Sequence, residues 1–284
     1  MVNSIVWTHN STLTRYCRVV CSAILYVLIA IVLSTTCLFA DETLDDVMEE
    51  FLWLDFVPKA AEYVRKDHSG KMIPSIANLF TSSDLDTVFR AKFLLLCYGQ
   101  KSVPTLVRFS EDHRRVKLHK TADTSYIDDQ KNDPAPGIFV PYRLDLISVR
   151  AGWALEDLTF CDFEFSEPWQ EQQADNCETE VRRRMAIRKV LAWFSCFGDW
   201  DRRSALHNAL ISRNKKRQMA ALNWMRSPFA APIEGCDDSY IEFTLKPIVE
   251  TLASGTGEVK IQAQHVLDKI KEVGLQNSER NKAD

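Results

Sequence analysis

Three carboxylates stand close together in one short segment of the chain, beside two phenylalanines. Asp157, Asp162 and Glu164 surround Phe160 and Phe163. Carboxylates held against aromatic side chains can act as a general acid and a general base, because burial raises the pKa of a carboxyl group. The alternative, which we favour, is a loop whose acids face water while its aromatic side chains pack on a neighbouring element.

Other catalytic signatures are missing. The sequence contains no GxSxG, HExxH, phosphate-binding loop or GxGxxG motif. His113 and His119 are the closest pair of histidines, and the charged stretch between them favours solvated loop side chains over a metal site. Cys161, beside the acidic segment, is a poor nucleophile because nearby negative charge raises the pKa of a thiol. We therefore predict no catalytic residue, no metal ligand and no cofactor.

A basic stretch is the best candidate for an interaction surface. Residues 182–217 hold an excess of lysine and arginine, although the chain carries a net charge of −4. These side chains could form one ridge that recognises an acidic partner or anionic lipid head groups, whereas a solvated helix face is the simpler interpretation. The overall charge argues against nucleic acid as a partner. The candidate partner-binding residues are Arg182, Arg183, Arg184, Arg188, Arg213, Lys215, Lys216 and Arg217.

A long apolar segment lies near the N-terminus. Residues 19–40 form a run of 22 uncharged residues, preceded by Arg15 and Arg18 and followed by a cluster of acids. This order predicts that the N-terminus stays inside and that the rest of the chain is exported. At about 1.5 Å per residue the run is also long enough to span a bilayer of roughly 30 Å. A cleaved signal peptide and an uncleaved anchor both remain open, and we expect membrane contact through this segment alone.

Cysteine is sparse after the apolar segment. Five cysteines remain and none forms a CxxC pair, which excludes a dense disulfide framework and a zinc ribbon. Cys97 and Cys196 lie among apolar residues and are predicted to be small core residues. Cys177 and Cys236 lie in polar segments, and they would form a disulfide only if the fold brings them together.

Apolar residues recur at helical spacing along most of the chain, and no alternating stretch is long enough to indicate a sheet. We therefore predict an all-α protein. Asp45 to Phe56 has a broad apolar face and is expected to end before Pro58. A stripe from Leu144 to Leu158 leaves Arg150 and Glu156 on the opposite, polar side. Long loops are predicted over 111–141 and 161–180, and later helices over 184–197, 201–211, 215–225, 240–252 and 258–273.

The segment 84–109 predicts a helical hairpin. Asp84 precedes an apolar stripe at a helix start, Gly99 follows the stripe as a helix stop, and Pro104 stands in the first turn of the next helix. Helices that open with a basic residue followed by small and apolar ones recur at spacings of 60, 34, 33 and 43 residues. These spacings bracket the period of two-helix repeats. The openings are at Arg90, Arg150, Arg184, Arg217 and Lys260.

Three segments resemble the helix pairs of HEAT repeats. Residues 96–107 resemble the turn in which a small helix-stop residue and a Val-Pro pair begin the second helix. Residues 148–159 and 257–270 resemble helices of similar units, and 153–193 is similar to secreted bacterial HEAT-like proteins. The resemblance covers roughly 80–273. It implies a short α-solenoid of helical hairpins with an extended concave binding surface.

Four regions follow: a signal peptide or anchor helix, an N-terminal helical cap, a HEAT-like repeat domain and a polar tail, at residues 1–40, 41–79, 80–273 and 274–284. We expect a non-catalytic interaction or scaffold module outside the cytoplasm, with a protein partner of acidic character. Because some HEAT-like proteins resemble lyases that handle tetrapyrrole attachment, one alternative is an enzyme that uses the acidic loop. A structural envelope anchor is another. Two carboxylates that converge in a cleft would favour the enzyme.

Overall fold

The computed structural model describes residues 43–49, 53–119, 142–166, 177–198, 200–227 and 230–283. These residues form α-helices joined by turns and short irregular segments, with no β-strand in those ranges, so the predicted all-α class is confirmed. The packing described below is that of the compact unit 47–284. The predicted signal or anchor segment, 19–40, lies outside the described residues.

The helices are, in chain order, α1 (Leu44–Met48), α2 (Trp53–Lys66), α3 (Ile73–Asn78), α4 (Leu85–Tyr98), α5 (Val103–Ser110), α6 (Ile147–Thr159), α7 (Cys177–Phe194), α8 (Arg202–Leu210), α9 (Lys215–Arg226), α10 (Asp238–Tyr240), α11 (Lys246–Ala253) and α12 (Gly257–Ala283). Short 3₁₀ turns follow α3 (Leu79–Thr81) and α4 (Gly99–Ser102), and a π-helical turn (Ile241–Leu245) joins α10 to α11.

The N-terminal helices pack around α4 and α6. Helix α4 contacts α2, α3 and α6, while α5 lies along α6 and α7 contacts both α5 and α6. The rings of Phe56 on α2 and Phe93 on α4 meet edge to face, with centroids 5.6 Å apart. Leu94 and Leu155 are fully buried between these helices. Several helices packed against one another are compatible with a helical-repeat arrangement.

The C-terminal helices form a second group with its own apolar core. Helix α8 packs on α9, α9 on α12, and α11 on α12. Leu206, Leu222, Val249 and Val266 come from these four helices and are buried together. Phe160, from the segment after α6, inserts into the same core. This ring therefore joins the two groups of helices.

Both helices of the predicted hairpin and the turn between them are present, but α5 packs mainly on α6 and not on α4, so the two do not form a packed hairpin. Their ends follow the local sequence. Asp84 caps α4 by accepting a hydrogen bond from the backbone N–H of Thr87 at 2.9 Å. Gly99 follows α4 with a φ of 58°, a conformation that glycine adopts without steric cost. Helix α5 then begins at Val103 with Pro104 in its first turn. Two further helices also start at polar caps, α8 after Asp201 and α9 after Asn214.

Pro58 does not end a helix, contrary to the prediction. It lies inside α2, which continues to Lys66. A proline inside a helix loses one backbone hydrogen bond and costs about 3 kcal/mol. Phe56, Ala60 and Tyr63 are buried along the same helix. Burying these side chains offsets that cost, since each large apolar side chain contributes about 1.5–3 kcal/mol. The predicted loop 161–180 also ends early, because α7 already begins at Cys177.

The prediction that Arg150 and Glu156 face solvent is wrong. Arg150 is completely buried and Glu156 is 7% exposed. The Arg150 guanidinium donates to the backbone carbonyls of Phe80, Ser82, Leu144 and Val116. Burial lowers its pKa to about 10. These four hydrogen bonds compensate the buried charge of Arg150. Arg150 can therefore lie in the interior, although helical periodicity places it on the polar side of α6.

Candidate functional site

A cleft of about 1150 Å³ lies between the N-terminal and the C-terminal groups of helices. Side chains of α4 and α6 line one side of it, and side chains of α9 line the other. The segment after α6 and the first residues of α8 and α12 complete the lining. Its aromatic members are Phe89, Phe93, Tyr142, Trp153, Phe160 and Trp224.

Trp153 is the centre of one cleft wall. Its ring stacks on Tyr142 at a centroid distance of 5.5 Å and meets Phe89 edge to face at 5.1 Å. It is 7% exposed, so it is largely buried in this wall. The Nζ atom of Lys92 lies over the same ring, 3.3 Å from its centroid. The wall therefore combines a large aromatic face with a buried cation.

Lys92 is held between an aromatic ring and a carboxylate. It is buried on α4, and its ammonium forms an ion pair with Asp157 on α6. Burial lowers the pKa of Lys92, while the negative charge of Asp157 raises it. Asp157 keeps 39% of its side chain exposed, so water also reaches this pair.

Glu156 holds the segment after α6 in place. Its Oε2 accepts a hydrogen bond from the Tyr142 hydroxyl at 2.8 Å. Its Oε1 accepts from the backbone N–H groups of Phe163 at 2.8 Å and Phe165 at 3.1 Å. Burial raises the pKa of this carboxyl group to about 7. Three donors on one buried carboxyl group fix the path of residues 160–166 along the cleft.

Two of the three acids predicted from the sequence, Asp157 and Asp162, line the cleft. A further acid of α6, Glu156, lines it as well. Asp162 lies 3.4 Å from the Nζ atom of Lys216. Glu164 instead forms an ion pair with Lys189 of α7. Every one of these carboxylates therefore already has a partner within the protein.

Three of the eight predicted partner-binding residues line the cleft. They are consecutive at the start of α9: Lys215, Lys216 and Arg217. Lys215 is 2.7 Å from Glu258 at the start of α12, and Lys216 pairs with Asp162. The side chains of both lysines are more than half exposed. This basic run therefore forms part of the rim of the cleft.

The arginines of α7 are paired along their own helix. Arg182 lies 3.8 Å from Glu178, and Arg184 lies 3.0 Å from Glu180. Arg183 also pairs with Glu180, and only 10% of its side chain is exposed. These contacts are typical of a solvated helix face with i,i+3 and i,i+4 pairs. The two remaining predicted residues, Arg188 and Arg213, are exposed.

Arg202 is a cleft residue within the predicted basic stretch 182–217, although it was not among the candidate partner-binding residues. It is the first residue of α8 and is 7% exposed. Its Nη1 donates to the carbonyls of Leu96 at 3.1 Å, Pro232 at 3.3 Å and Ala231 at 3.4 Å. Its Nε is buried without a hydrogen-bond partner. No sequence signal marks it, because a basic residue directly after the cap Asp201 is typical of an exposed first turn.

Among the described cysteines, Cys97, Cys161 and Cys236 are half-buried and Cys196 is exposed. Burial raises the pKa of Cys97 to about 12 and is also the main cause of the raised pKa of Cys161. Cys236 carries a free thiol, so it forms no disulfide with Cys177 in this structure. The prediction that Cys196 is a core residue is wrong: it is exposed, because α7 ends two residues before it.

Within the described ranges, no group of three His, Cys, Asp or Glu side chains is arranged to hold a metal ion. Among the same residues, no helix combines the length and apolar character needed to cross a membrane. No protein-family model matches the sequence, and neither a curated protein nor a solved structure matches it. The fold and the cleft thus define the chain as an all-α protein with one large, aromatic-walled, charged cleft.

Proposed function

We propose that this chain is a non-catalytic interaction module that binds an extended, acidic segment of a protein partner in the cleft between α4, α6 and α9. The size and the lining of the cleft are the observations that support this proposal. Its volume of about 1150 Å³ lies at or above the upper end of the roughly 300–1,000 Å³ typical of small-molecule pockets. Aromatic walls supply contact area, and the basic run Lys215–Arg217 stands at the rim. Aromatic anchors in a pocket with charged rims are typical of peptide and protein recognition.

The charges of the cleft favour an acidic occupant. Its described lining holds five basic and four acidic side chains. Three of the acids are paired with lysines, and Glu156 accepts three hydrogen bonds. Arg202 and Arg217 form no ion pair with a carboxylate in the described part of the chain. An acidic segment would supply the missing negative charge, which also steers association.

The HEAT-like solenoid is part of the same proposal. The packed pairs α5–α6, α8–α9 and α11–α12, and the packing of α9 on α12, support stacked two-helix units. In such an arrangement the surface between units is the natural binding face. We also propose export of the chain, with residues 19–40 as a signal peptide or membrane anchor. That part rests on the uncharged run and on its basic and acidic flanks.

An enzyme is the second candidate function, and one observation favours it. Glu156, Asp157 and Asp162 converge on one cleft, and burial raises the pKa of Glu156 to about 7, a value suited to acid–base work near neutral pH. Both oxygens of Glu156 are, however, engaged by internal donors. That arrangement favours a role in holding the loop.

A selection from a displayed library of random peptides tests the interaction module. The full-length chain is the bait, and a second bait carries Asn223→Trp, which places a large ring in the cleft at an exposed position of α9. Asn208→Trp, at an exposed position of α8, is the matched control. We expect enrichment of peptides rich in acidic and aromatic residues, with affinity at least about tenfold lower for Asn223→Trp and unchanged for Asn208→Trp.

Two results would contradict the proposal. One is the absence of any enriched peptide. The other is a set of peptides whose affinity does not depend on residue 223. If the same peptides instead lose affinity for a variant with Arg182, Arg183 and Arg184 changed to Ser, the binding face lies on α7.

A further inference from the structure

One buried arginine of the cleft, Arg202, forms no ion pair with a carboxylate in the described part of the chain, although the negative charge of Asp157 acts to raise its pKa. The Arg202 guanidinium is bonded only to backbone carbonyls, and all three bonds leave from Nη1. Its Nε atom is buried with no partner. A buried cation usually has a carboxylate partner, and a buried N–H without a hydrogen bond is unfavourable. The fold therefore leaves the Nε donor of this guanidinium unsatisfied, in a residue that lines a large cleft.

A second arginine of the cleft, Arg217, contacts Phe160, the residue whose ring lies near Arg202. Arg217 Nε donates to the carbonyl oxygen of Phe160 at 3.0 Å. The Arg202 guanidinium lies 5.8 Å from the centroid of the Phe160 ring. Within the described residues, neither arginine forms an ion pair. Both line the cleft, so two guanidinium groups approach one residue with no internal carboxylate between them.

Phe160 is held in a conformation that a non-glycine residue rarely adopts. It follows α6 with φ 53° and ψ 26°, in the left-handed region. That conformation is unfavourable for a residue with a side chain, because its Cβ atom crowds the backbone. Its buried ring and the Arg217 hydrogen bond hold it there. Local strain of this kind is found at ligand-binding positions, where the surrounding structure fixes the geometry in advance.

The surroundings of the two arginines are apolar on one side. Trp224 also lines the cleft, and its Nε1 donates at 3.0 Å to the Ala231 carbonyl, which Arg202 also contacts. Leu96, whose carbonyl accepts from Arg202, lines the cleft as well. The chemistry that fits is a carboxylate attached to an aromatic or apolar body. A guanidinium fork binds a carboxylate in two parallel hydrogen bonds, and the aromatic surface takes the attached group.

We propose that Arg202 and Arg217 form a carboxylate-binding subsite in the cleft, which recognises the carboxylate of a ligand whose neighbouring aromatic group packs against Trp224. The inference rests on the proposed role of the cleft as the binding surface. It specifies the chemical group of the ligand, a carboxylate, that the subsite binds. That carboxylate is either the free C-terminus of a partner segment or the side chain of an internal Asp or Glu.

The subsite is tested with two small probes that differ in one group. N-Acetylphenylalanine carries the carboxylate and the ring, and N-acetylphenylalaninamide carries the same ring without the charge. Binding to the full-length chain is followed by tryptophan fluorescence and calorimetry. We expect the acid to bind at least about tenfold more tightly than the amide, as the loss of a charge-assisted bidentate contact requires.

Two variants test whether the preference for the acid depends on Arg202 and Arg217. Arg217→Met removes a half-buried guanidinium that holds one carbonyl, and Arg202→Lys keeps the buried charge but removes the fork. Each is expected to lower the affinity for the acid at least about tenfold and to leave the affinity for the amide unchanged. Arg226→Met, at an exposed position at the end of α9, removes the same charge and is expected to change neither affinity. Thermal unfolding shows that each variant is folded.

The outcomes separate this inference from the proposed function. Equal affinity for acid and amide, or an effect of Arg226→Met as large as that of Arg217→Met, overturns the carboxylate subsite. Binding of neither probe at millimolar concentration overturns it as well. If inorganic phosphate displaces the bound acid as effectively as added acid does, the carboxylate subsite is also overturned, because the site then binds any anion. In all these cases peptides that depend on Asn223 still support the interaction module.

The source of the carboxylate is decided with peptides from the display selection. Each enriched peptide is made with a free and with an amidated C-terminus, and in a second form with its acidic side chains changed to amides. Loss of affinity on C-terminal amidation alone identifies a chain terminus as the ligand. Loss on side-chain amidation alone identifies an internal Asp or Glu.

Discussion

The ammonium nitrogen of Lys92 lies 3.3 Å from the centroid of the Trp153 ring, and the same ammonium is paired with Asp157. Lys92 comes from α4, while Trp153 and Asp157 come from α6. The cleft wall is therefore one unit in which a cation links two helices through a ring and a carboxylate. Such a wall is preorganised, because each group restricts the rotamers of the others.

Gly152 allows the segment after α6 to lie against its own helix. A Cβ atom at this position would be 2.3 Å from the Phe165 ring. In an exposed helix, Gly→Ala stabilises by about 1 kcal/mol. Here we expect Gly152→Ala to lower the free energy of unfolding by about 1–3 kcal/mol, because the ring must move. Urea denaturation measures the change. Gly198→Ala, where nothing lies within 4 Å of the added atom, is the control and should be near neutral.

Arg150 is expected to be the most sensitive buried polar residue. Arg150→Met removes a guanidinium that satisfies four carbonyls, and each carbonyl left without a partner costs about 1–3 kcal/mol. The variant should lose at least about 3 kcal/mol of stability, or fail to fold, in thermal unfolding. Arg108→Met, at an exposed position of α5, should change stability by less than about 0.5 kcal/mol. Equal effects of the two substitutions would contradict the structural role of Arg150.

Glu156 should make stability depend on pH near neutrality. Its pKa in the folded protein, about 7, lies above the ordinary glutamate value of 4.5, so the folded state binds the proton more tightly than the unfolded state. This contribution is fully present below about pH 4.5 and is lost as the pH rises through about 7. Its upper limit is about 3 kcal/mol. Negative charge on Asp157 and Asp162 acts in the same direction, and the hydrogen bond from Tyr142 opposes it.

Glu156→Gln isolates that contribution. The amide keeps the size of the side chain and its acceptor for the backbone N–H groups, but it does not titrate. Between about pH 5 and about pH 8.5 the wild-type protein should lose stability relative to the variant, as measured by urea denaturation at each pH. A constant difference across this range would show that the carboxyl group titrates normally.

The thiols should differ in reactivity. Cys196 is exposed, whereas burial raises the pKa of Cys97 to about 12 and raises that of Cys161. Alkylation with iodoacetamide at about pH 8, followed by peptide mapping, should modify Cys196 well before Cys97 and Cys161, because the thiolate is the reactive form. Faster modification of Cys161 would indicate a reactive thiol in the cleft and would favour the enzyme.

The sequence predicts the elements whose signals are local. Asp84, Gly99 and Pro104 each act on a nearby helix end, so the bounds of α4 and α5 lie where they were predicted, whereas the packing of α5 on α6 depends on tertiary contacts. The starts of α8 and α9 follow from Asp201 and Asn214 in the same way. Pro58 is the exception, since burial along α2 outweighs a local signal.

The cleft could not be predicted because its charged residues find their partners far along the chain. The Phe80 carbonyl that accepts from Arg150 is 70 positions away, and the Leu96 carbonyl that accepts from Arg202 is 106 positions away. From helical periodicity alone, a basic residue is predicted to face solvent. Only the tertiary contacts show that it is buried. The acids Asp157 and Asp162 were found from composition alone, but their lysine partners come from α4 and α9.

The central claim is that the cleft is the binding surface. Hydrogen–deuterium exchange of the full-length chain, with and without a peptide from the display selection, tests it most directly. We predict slower exchange in α4, α6 and the first turns of α9, and no change there when Asn223→Trp fills the cleft. Protection confined to α7, or no protection anywhere with saturating peptide, would contradict the claim.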